Sequence, residues 1–420
     1  MKKMITIAMA VLVTAVAYSQ NILSLEQSKD MAIKNNIKIK NGKLETDAAR
    51  EEKKNAFTNY FPKVSLNALG VYGINPLIQF GNINLVGKAV YGQLNIAEPV
   101  YVGGKIRTGN KLAKIGVDVK TRQEQLIENE TLLKTEQEYW QIVSLQEKQN
   151  TLVKYEALLN DLNKQVDDSY KAGLIIKNDV LKVQIKQSEL QANKSKLNTG
   201  KRLALMQFCQ TINIPFDSTL TLGDDLENLK LPATYYVDAD TALPLRTEYY
   251  LLETSVKAQK LQTQLKKGDY MPQVAAGVSG YYYNLVEKGL DGTTNGLAFA
   301  TVSIPISDWW GGTHAIKEEK LKEKIAENNL SDTKGLLKLQ MEKAWGDLQE
   351  AYTQILIMEE TSRQTAENLK VNQTSYQSGV VTLSDLLEAQ TLQKETADKL
   401  IEAKTQYKTA ITTYLQCTAR

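Results

Sequence analysis

Asp385 and Glu388 lie three residues apart in "TLSDLLEAQ", so on a helix they share one face. Carboxylates at that spacing admit two uses. In the first, the aspartate caps a helix start and the glutamate sits in water. The second needs several copies of the chain about one axis. The carboxylates then stack as layers of negative charge that attract cations at a constriction. The residues alone favour the first use. Other chemistry is thinly supplied. His314 is the only histidine, and the two cysteines are Cys209 and Cys417, each near the end of a helical stretch. That set gives no zinc-ligand spacing and no Ser-His-Asp arrangement. No nucleophile–base constellation can be named, so neither an enzyme nor a cofactor is expected. A disulfide is permitted if the chain is exported, but two small residues at helix ends is the plainer reading. The 51 basic and 48 acidic residues leave a net charge of +3, which argues against the concentrated basic patch of a nucleic-acid surface.

The carboxylates belong to a phrase written twice. "SYKAGLIIKNDVLKVQ" (Ser169–Gln184) returns 206 residues later as "SYQSGVVTLSDLLEAQ" (Ser375–Gln390). Gly173 and Gly379 each interrupt a helical run, where a residue that tolerates the left-handed conformation ends one helix and starts the next. Asn178 and Ser384 fall just before Asp179 and Asp385, as N-caps ahead of first-turn carboxylates. Each phrase therefore reads as a helical hairpin tip. The turns Gly173-Leu174-Ile175 and Gly379-Val380-Val381 are apolar where a solvated turn would be polar, which suits a docking patch.

The elements that position these tips are themselves duplicated. "YFPKVSLNALGVYG" (Tyr60–Gly73) returns as "YMPQVAAGVSGYYY" (Tyr270–Tyr283), and the exit Gly103-Gly104 returns as Gly311-Gly312. Each half reads helix, strand, strand, Gly-Gly, long helix, Gly turn, helix. The first repeat spans 20–212 and the second 244–420, with a polar linker of 213–243 between them. Residues 1–19 read as a signal peptide: two lysines, an apolar run, then small residues. Seven-residue recurrence (Leu112, Val119, Leu126, Leu133, Trp140) and the 4,3 steps of Leu337, Met341, Ala344, Leu348, Ala351, Ile355 and Met358 mark coiled-coil seams. Long helices are expected over Arg107–Tyr170 and Thr313–Tyr376, each roughly 95 Å at 1.5 Å per residue. Each is matched by two shorter helices: Ser24–Tyr60 with Asn178–Ile212, and Pro244–Tyr270 with Ser384–Gln416. On this arithmetic the strands lie at one end of the rods and the tips at or towards the other.

Four strands are expected: Lys63–Gly73, Ala89–Pro99, Val274–Asn284 and Gly296–Ile306. About eleven residues is the length with which a tilted strand crosses a bilayer. Apolar residues alternate with mixed or polar ones, and Tyr281-Tyr282-Tyr283 reads as a membrane-interface girdle. Strand pattern alone also fits a soluble sheet. Four strands in a membrane cannot close a barrel, and open edges are not tolerated in hydrocarbon. Several chains must then share one barrel; three chains of four strands give twelve, wide enough for a lumen.

The repeated tips, the Tyr-x-Pro strand openings, the Gly-Gly exits and the duplication together resemble the TolC-like outer-membrane efflux proteins over essentially the whole mature chain. The resemblance implies a mainly α fold with membrane β. It implies a homotrimer whose 12-stranded barrel sits in outer-membrane lipid of a Gram-negative bacterium and whose coiled-coil helices form a periplasmic α-barrel. The linker and chain ends form its equatorial region. It implies a passive exit duct of a tripartite efflux or type I secretion system, docked on a periplasmic adaptor and an inner-membrane transporter. Asp385 and Glu388 match the positions that ring the periplasmic entrance. Asp179 and Tyr376 match the positions that latch the closed tips. The family's arginine two residues past the tip glycine is replaced here by Val381, so the latch is either weaker or uses another donor.

Two other classes fit the sequence less well. A periplasmic adaptor carries one helical hairpin rather than two, and duplicated strand pairs argue against it. A coiled-coil structural protein has no need of four strands bounded by Pro and Gly-Gly.

Overall fold

The computed structural model describes residues 22–74, 79–80, 83–84, 88–286 and 291–420. The expected signal peptide, 1–19, lies outside the described residues. The chain forms two compact units, and two long helices contribute to both.

The first unit holds the described residues up to Asn36, Thr131–Thr234 and Leu348–Thr412. It begins with β1 (Ile22–Leu23) and α1 (Leu25–Asn35), whose start is a capping box between Ser24 and Gln27. The second unit contributes α2 (Ile37–Phe57), β2 (Lys63–Tyr72), the short β3 (Gln79–Phe80) and β4 (Ile83–Asn84), and β5 (Lys88–Val102). Helix α3 (Lys105–Lys171) spans 67 residues and runs through both units, followed in the first by α4 (Lys177–Thr211) and β6 (Thr221–Leu222). Then come α5 (Ala239–Ala242), α6 (Thr247–Gly268), β7 (Gln273–Leu285) and β8 (Thr293–Ser303) in the second unit. Helix α7 (Trp309–Gln377), 69 residues, again runs through both units, and α8 (Leu383–Cys417) lies mainly in the first.

The sequence places a single helix over Ser24–Tyr60; the structure breaks it at Asn36. The Asn36 side chain donates to the Thr211 carbonyl at 2.7 Å, and Asn213 donates back to the Asn35 carbonyl. Asn36 takes ψ 131°, outside the helix, as it caps α1. This core of the first unit is closed by Tyr139, Trp140, Phe208 and Cys209 under Leu220, Leu222 and Leu226 of the linker. Tyr139 has its hydroxyl on the Asp224 carboxylate at 2.6 Å. The coiled-coil seam Leu337, Met341, Ala344, Leu348, Ala351 and Ile355 is buried, as its 4,3 spacing requires. Cys209 and Cys417 are free, buried thiols, so the disulfide alternative is set aside.

The second unit carries one four-stranded antiparallel sheet in the order β2-β5-β7-β8. The four expected strands are present with shifted bounds. β5 is longer because a bulge between Pro99 and Tyr101 lets pairing with β7 continue to Val102. β8 ends at Ser303 rather than Ile306, where Pro305 follows. The two Gly-Gly pairs also differ. Gly103 and Gly104 adopt φ of +64° and +74°, and Gly103 lies so close to Gly268 that a Cβ would meet its carbonyl oxygen at 2.3 Å. Gly311 and Gly312 sit inside the first turn of α7.

Candidate functional site

Two places in the fold carry the residues singled out by sequence: the paired hairpin tips of the first unit and the sheet of the second.

Both tips close in the same way. Gly173 at φ +74° donates to the Tyr170 carbonyl at 2.9 Å, and Leu174 donates to the Ser169 carbonyl at 2.9 Å. Gly379 at φ +73° donates to Tyr376 at 3.0 Å, and Val380 to Ser375 at 2.8 Å. These are two Schellman motifs, which satisfy the last carbonyls of α3 and α7. The repeated Ser, Tyr and Gly are the residues that make them. The restart is less regular than the sequence suggests. Asn178 and Ser384 are not caps but first-turn residues, because α4 begins at Lys177 and α8 at Leu383. Ile176 precedes α4 without a side-chain cap, whereas Thr382 and Asp385 cap α8 reciprocally. The Asp385 carboxylate accepts from the Thr382 backbone N–H at 2.8 Å and hydroxyl at 2.7 Å, and the Asp385 N–H donates to Thr382 Oγ1 at 3.3 Å. The hydroxyl, then the backbone N–H, holds the Asp385 carboxyl below its usual range.

Under the tips lies a core of Leu159, Leu162, Val166, Val183, Leu383, Leu386 and Leu387. Tyr376 is packed against it, and burial, then the nearby Asp179 charge, raises its phenol. Tyr376 thus lies near enough to Asp179 to feel its charge. The Asp179 carboxylate pairs with Lys182 at 3.2 Å. Lys182 also donates to Ser384 Oγ at 2.9 Å, tying α4 to α8. Sequence reasoning passes over Lys182; its signal is its place one turn after Asp179. Glu388 is exposed and lines a cleft of about 590 Å³ between α4 and α8 with Lys182, Lys186, Ile185 and Leu392. Asp385 is exposed but committed to its cap.

The six apolar turn residues do not act alike. Leu174 and Val380 are 77% and 76% exposed. Ile175 packs into the tip core, and Val381 is half-buried. Ile176, 66% exposed, joins the outward set in their place.

In the sheet, register sorts every side chain by face, since residues alternate with period two. On one face Val64, Leu66 and Ala68 pair with Ile96, Leu94 and Gly92. The same rows continue through Val278 and Gly280 to Ala298 and Gly296. This face is apolar and unpacked; Leu66 is 75% exposed. On the other, Ser65, Asn67 and Leu69 pair with Asn95, Gln93 and Tyr91, which pair with Ser279, Tyr281 and Tyr283. Gln93 donates to Ser279 Oγ across this face at 2.9 Å. The tyrosine cluster is therefore not one girdle. Only Tyr282 falls on the apolar face, while Tyr281 and Tyr283 stack on the polar one with ring centroids 6.4 Å apart. Exposed aromatics flank the apolar face: Tyr72 and Tyr282 at one end, and Tyr60, Phe61, Tyr101, Trp309 and Trp310 beside the other. No described helix is long and apolar enough to cross a membrane.

Residues 252–416 match the family model described as outer membrane efflux protein. A search of curated proteins finds no match. Among solved structures, the outer-membrane channel OprN superposes with a TM-score of 0.81 at 15% identity, covering 94% of this chain and 89% of that one. The outer membrane protein VceC from Vibrio cholerae gives 0.80 at 14% identity, covering 94% and 96%. The CmeC outer membrane channel of Campylobacter jejuni gives 0.82 at 16% identity, covering 94% and 85%. Residues 252–416 are thus similar in sequence to the outer membrane efflux protein family, and over nearly all its length the chain has the fold of the channels OprN, VceC and CmeC.

Proposed function

We propose that the protein is the outer-membrane exit duct of a tripartite efflux or type I secretion system, passive itself and driven by an inner-membrane transporter through a periplasmic adaptor. The observation that carries the reading is the two-faced sheet with open edges. Its apolar face suits lipid and its polar face a lumen. Among the described residues, β2 and β8 are each paired on one side only. In hydrocarbon each unpaired backbone group costs several kcal/mol, so both edges need partners. A homotrimer in which β8 of one chain meets β2 of the next closes the ring. The names of the similar structures, outer-membrane channels, agree with this placement.

The tips then form the periplasmic entrance. Glu388 and Asp385 supply its acidic rings, Asp179 and Tyr376 its latch, and Leu174, Ile176 and Val380 the apolar surface for the adaptor. The test is fractionation in a Gram-negative host. The protein is expected in the outer membrane, extracted only by detergent as a heat-sensitive trimer. A monodisperse periplasmic monomer would sink the reading.

A further inference from the structure

The polar sheet face has a composition that points to what passes over it. Among the described residues its rows contain no Asp or Glu, and its one cation is Lys63, where the strand leaves α2. The apolar face likewise keeps its charges, Lys88 and Glu98, near the strand ends. What the polar face offers instead is rings and amides. Tyr281 and Tyr283 stack at an interplanar angle of 26°. Tyr91 is the register partner of Tyr283, and Gln93 and Asn295 flank Tyr281 on its two neighbouring strands. One strand further on, Phe299 stands opposite Gly277, whose missing Cβ leaves room for the ring: a Cβ there would lie 2.6 Å from it.

We infer that this face is a solute-contacting wall selective for uncharged amphiphiles that carry an aromatic ring, an inference that rests on the duct reading. Rings stack on the tyrosines, and hydroxyl or amide edges exchange hydrogen bonds with the tyrosine hydroxyls, Gln93 and Asn295. With no fixed charge among the tyrosines and amides, each contact is weak and short-lived, as conduction requires: a solute must bind well enough to enter and loosely enough to leave. In a closed ring of three chains the cluster recurs three times around the lumen.

The test uses the full-length protein in planar bilayers, with phenyl β-glucoside and methyl β-glucoside added in turn at equal concentration to either side. Both are uncharged sugars, and only one carries an aromatic ring. The phenyl compound is expected to interrupt the ionic current with dwell times about two- to tenfold longer, the range of one aromatic contact. Replacing all three residues together (Tyr91→Leu, Tyr281→Leu, Tyr283→Leu) should abolish the difference, while the corresponding triple Phe variant should keep it. If the triple Leu variant fails to assemble, Tyr283→Leu alone, at an exposed position, should shorten the phenyl dwell. Equal dwell times in the unaltered protein, or a ring preference that survives loss of the rings, would overturn the inference with the duct reading intact. A protein that forms no conducting channel overturns both.

Discussion

Lys182 of α4 donates to Ser384 Oγ of α8 at 2.9 Å while its ammonium pairs with Asp179 at 3.2 Å. One side chain thereby joins the two hairpins at their tips. We propose Lys182 as the donor that the change at Val381 calls for, supplied by the first phrase and not the second.

Removing that donor should loosen the tips. A half-exposed pair of this kind contributes at most about 1 kcal/mol, or roughly fivefold per copy in an equilibrium. Lys182→Met keeps the stem and deletes the charge. In planar bilayers the variant is expected to open more often than the parent. An unchanged open probability in an assembled variant would assign Lys182 to the surface alone.

Adaptor contact should depend on the outward half of the apolar turns. Leu174→Asp with Val380→Asp places charge where both side chains are exposed, so the trimer should still form. Crosslinking to the adaptor and export should be lost. Ile175→Asp should behave differently, lowering stability, because Ile175 packs into the tip core. Normal crosslinking by the double variant would place docking elsewhere.

The two carboxylates should separate in function. Glu388 is free to act as a ring charge, whereas Asp385 is held by Thr382. Glu388→Ala is expected to lower cation selectivity and weaken block by multivalent cations. Asp385→Ala should do the same and also raise amide exchange at the start of α8. Equal exchange in the two variants would remove the cap from the account.

The cap should be lost only in acid. Asp385 has its carboxyl held down in the folded chain, so on acidification the unfolded chain takes up the proton first. Its contribution is complete above the ordinary carboxylate value of about 4 and is lost as pH falls through the lower folded value. Protection factors at the Thr382–Leu386 amides, corrected for intrinsic exchange, should therefore fall below about pH 4. Asp385→Asn should flatten that dependence, and a parent protein insensitive to acid there would contradict it.

Much of this architecture was legible because it is local. Glycine at a helix end, a 4,3 apolar step and a two-residue alternation each act within a few residues. What was not legible is long-range. The break at Asn36 depends on Thr211, 175 residues away, and the Lys182 link reaches Ser384, 202 residues away. The division of Leu174 from Ile175 depends on which side of a turn meets a core built from other helices. The tyrosine cluster is a different case. Its parity was present in the sequence, but three consecutive rings read as a block until register set Tyr282 against its two neighbours.

The pairing of β5 with β7 joins the first half of the chain to the second, and it has a bearing on assembly kinetics. If each half were a separate polypeptide, the proposed ring would have to gather six bodies and close six seams by collision. Covalent fusion makes alternate seams intramolecular, at an effective concentration set by the linker and not by expression level. Three encounters remain, all between β8 and β2. Folding of each newcomer can thus be complete before it meets its neighbours, which shortens the time that bare strand edges wait for a partner.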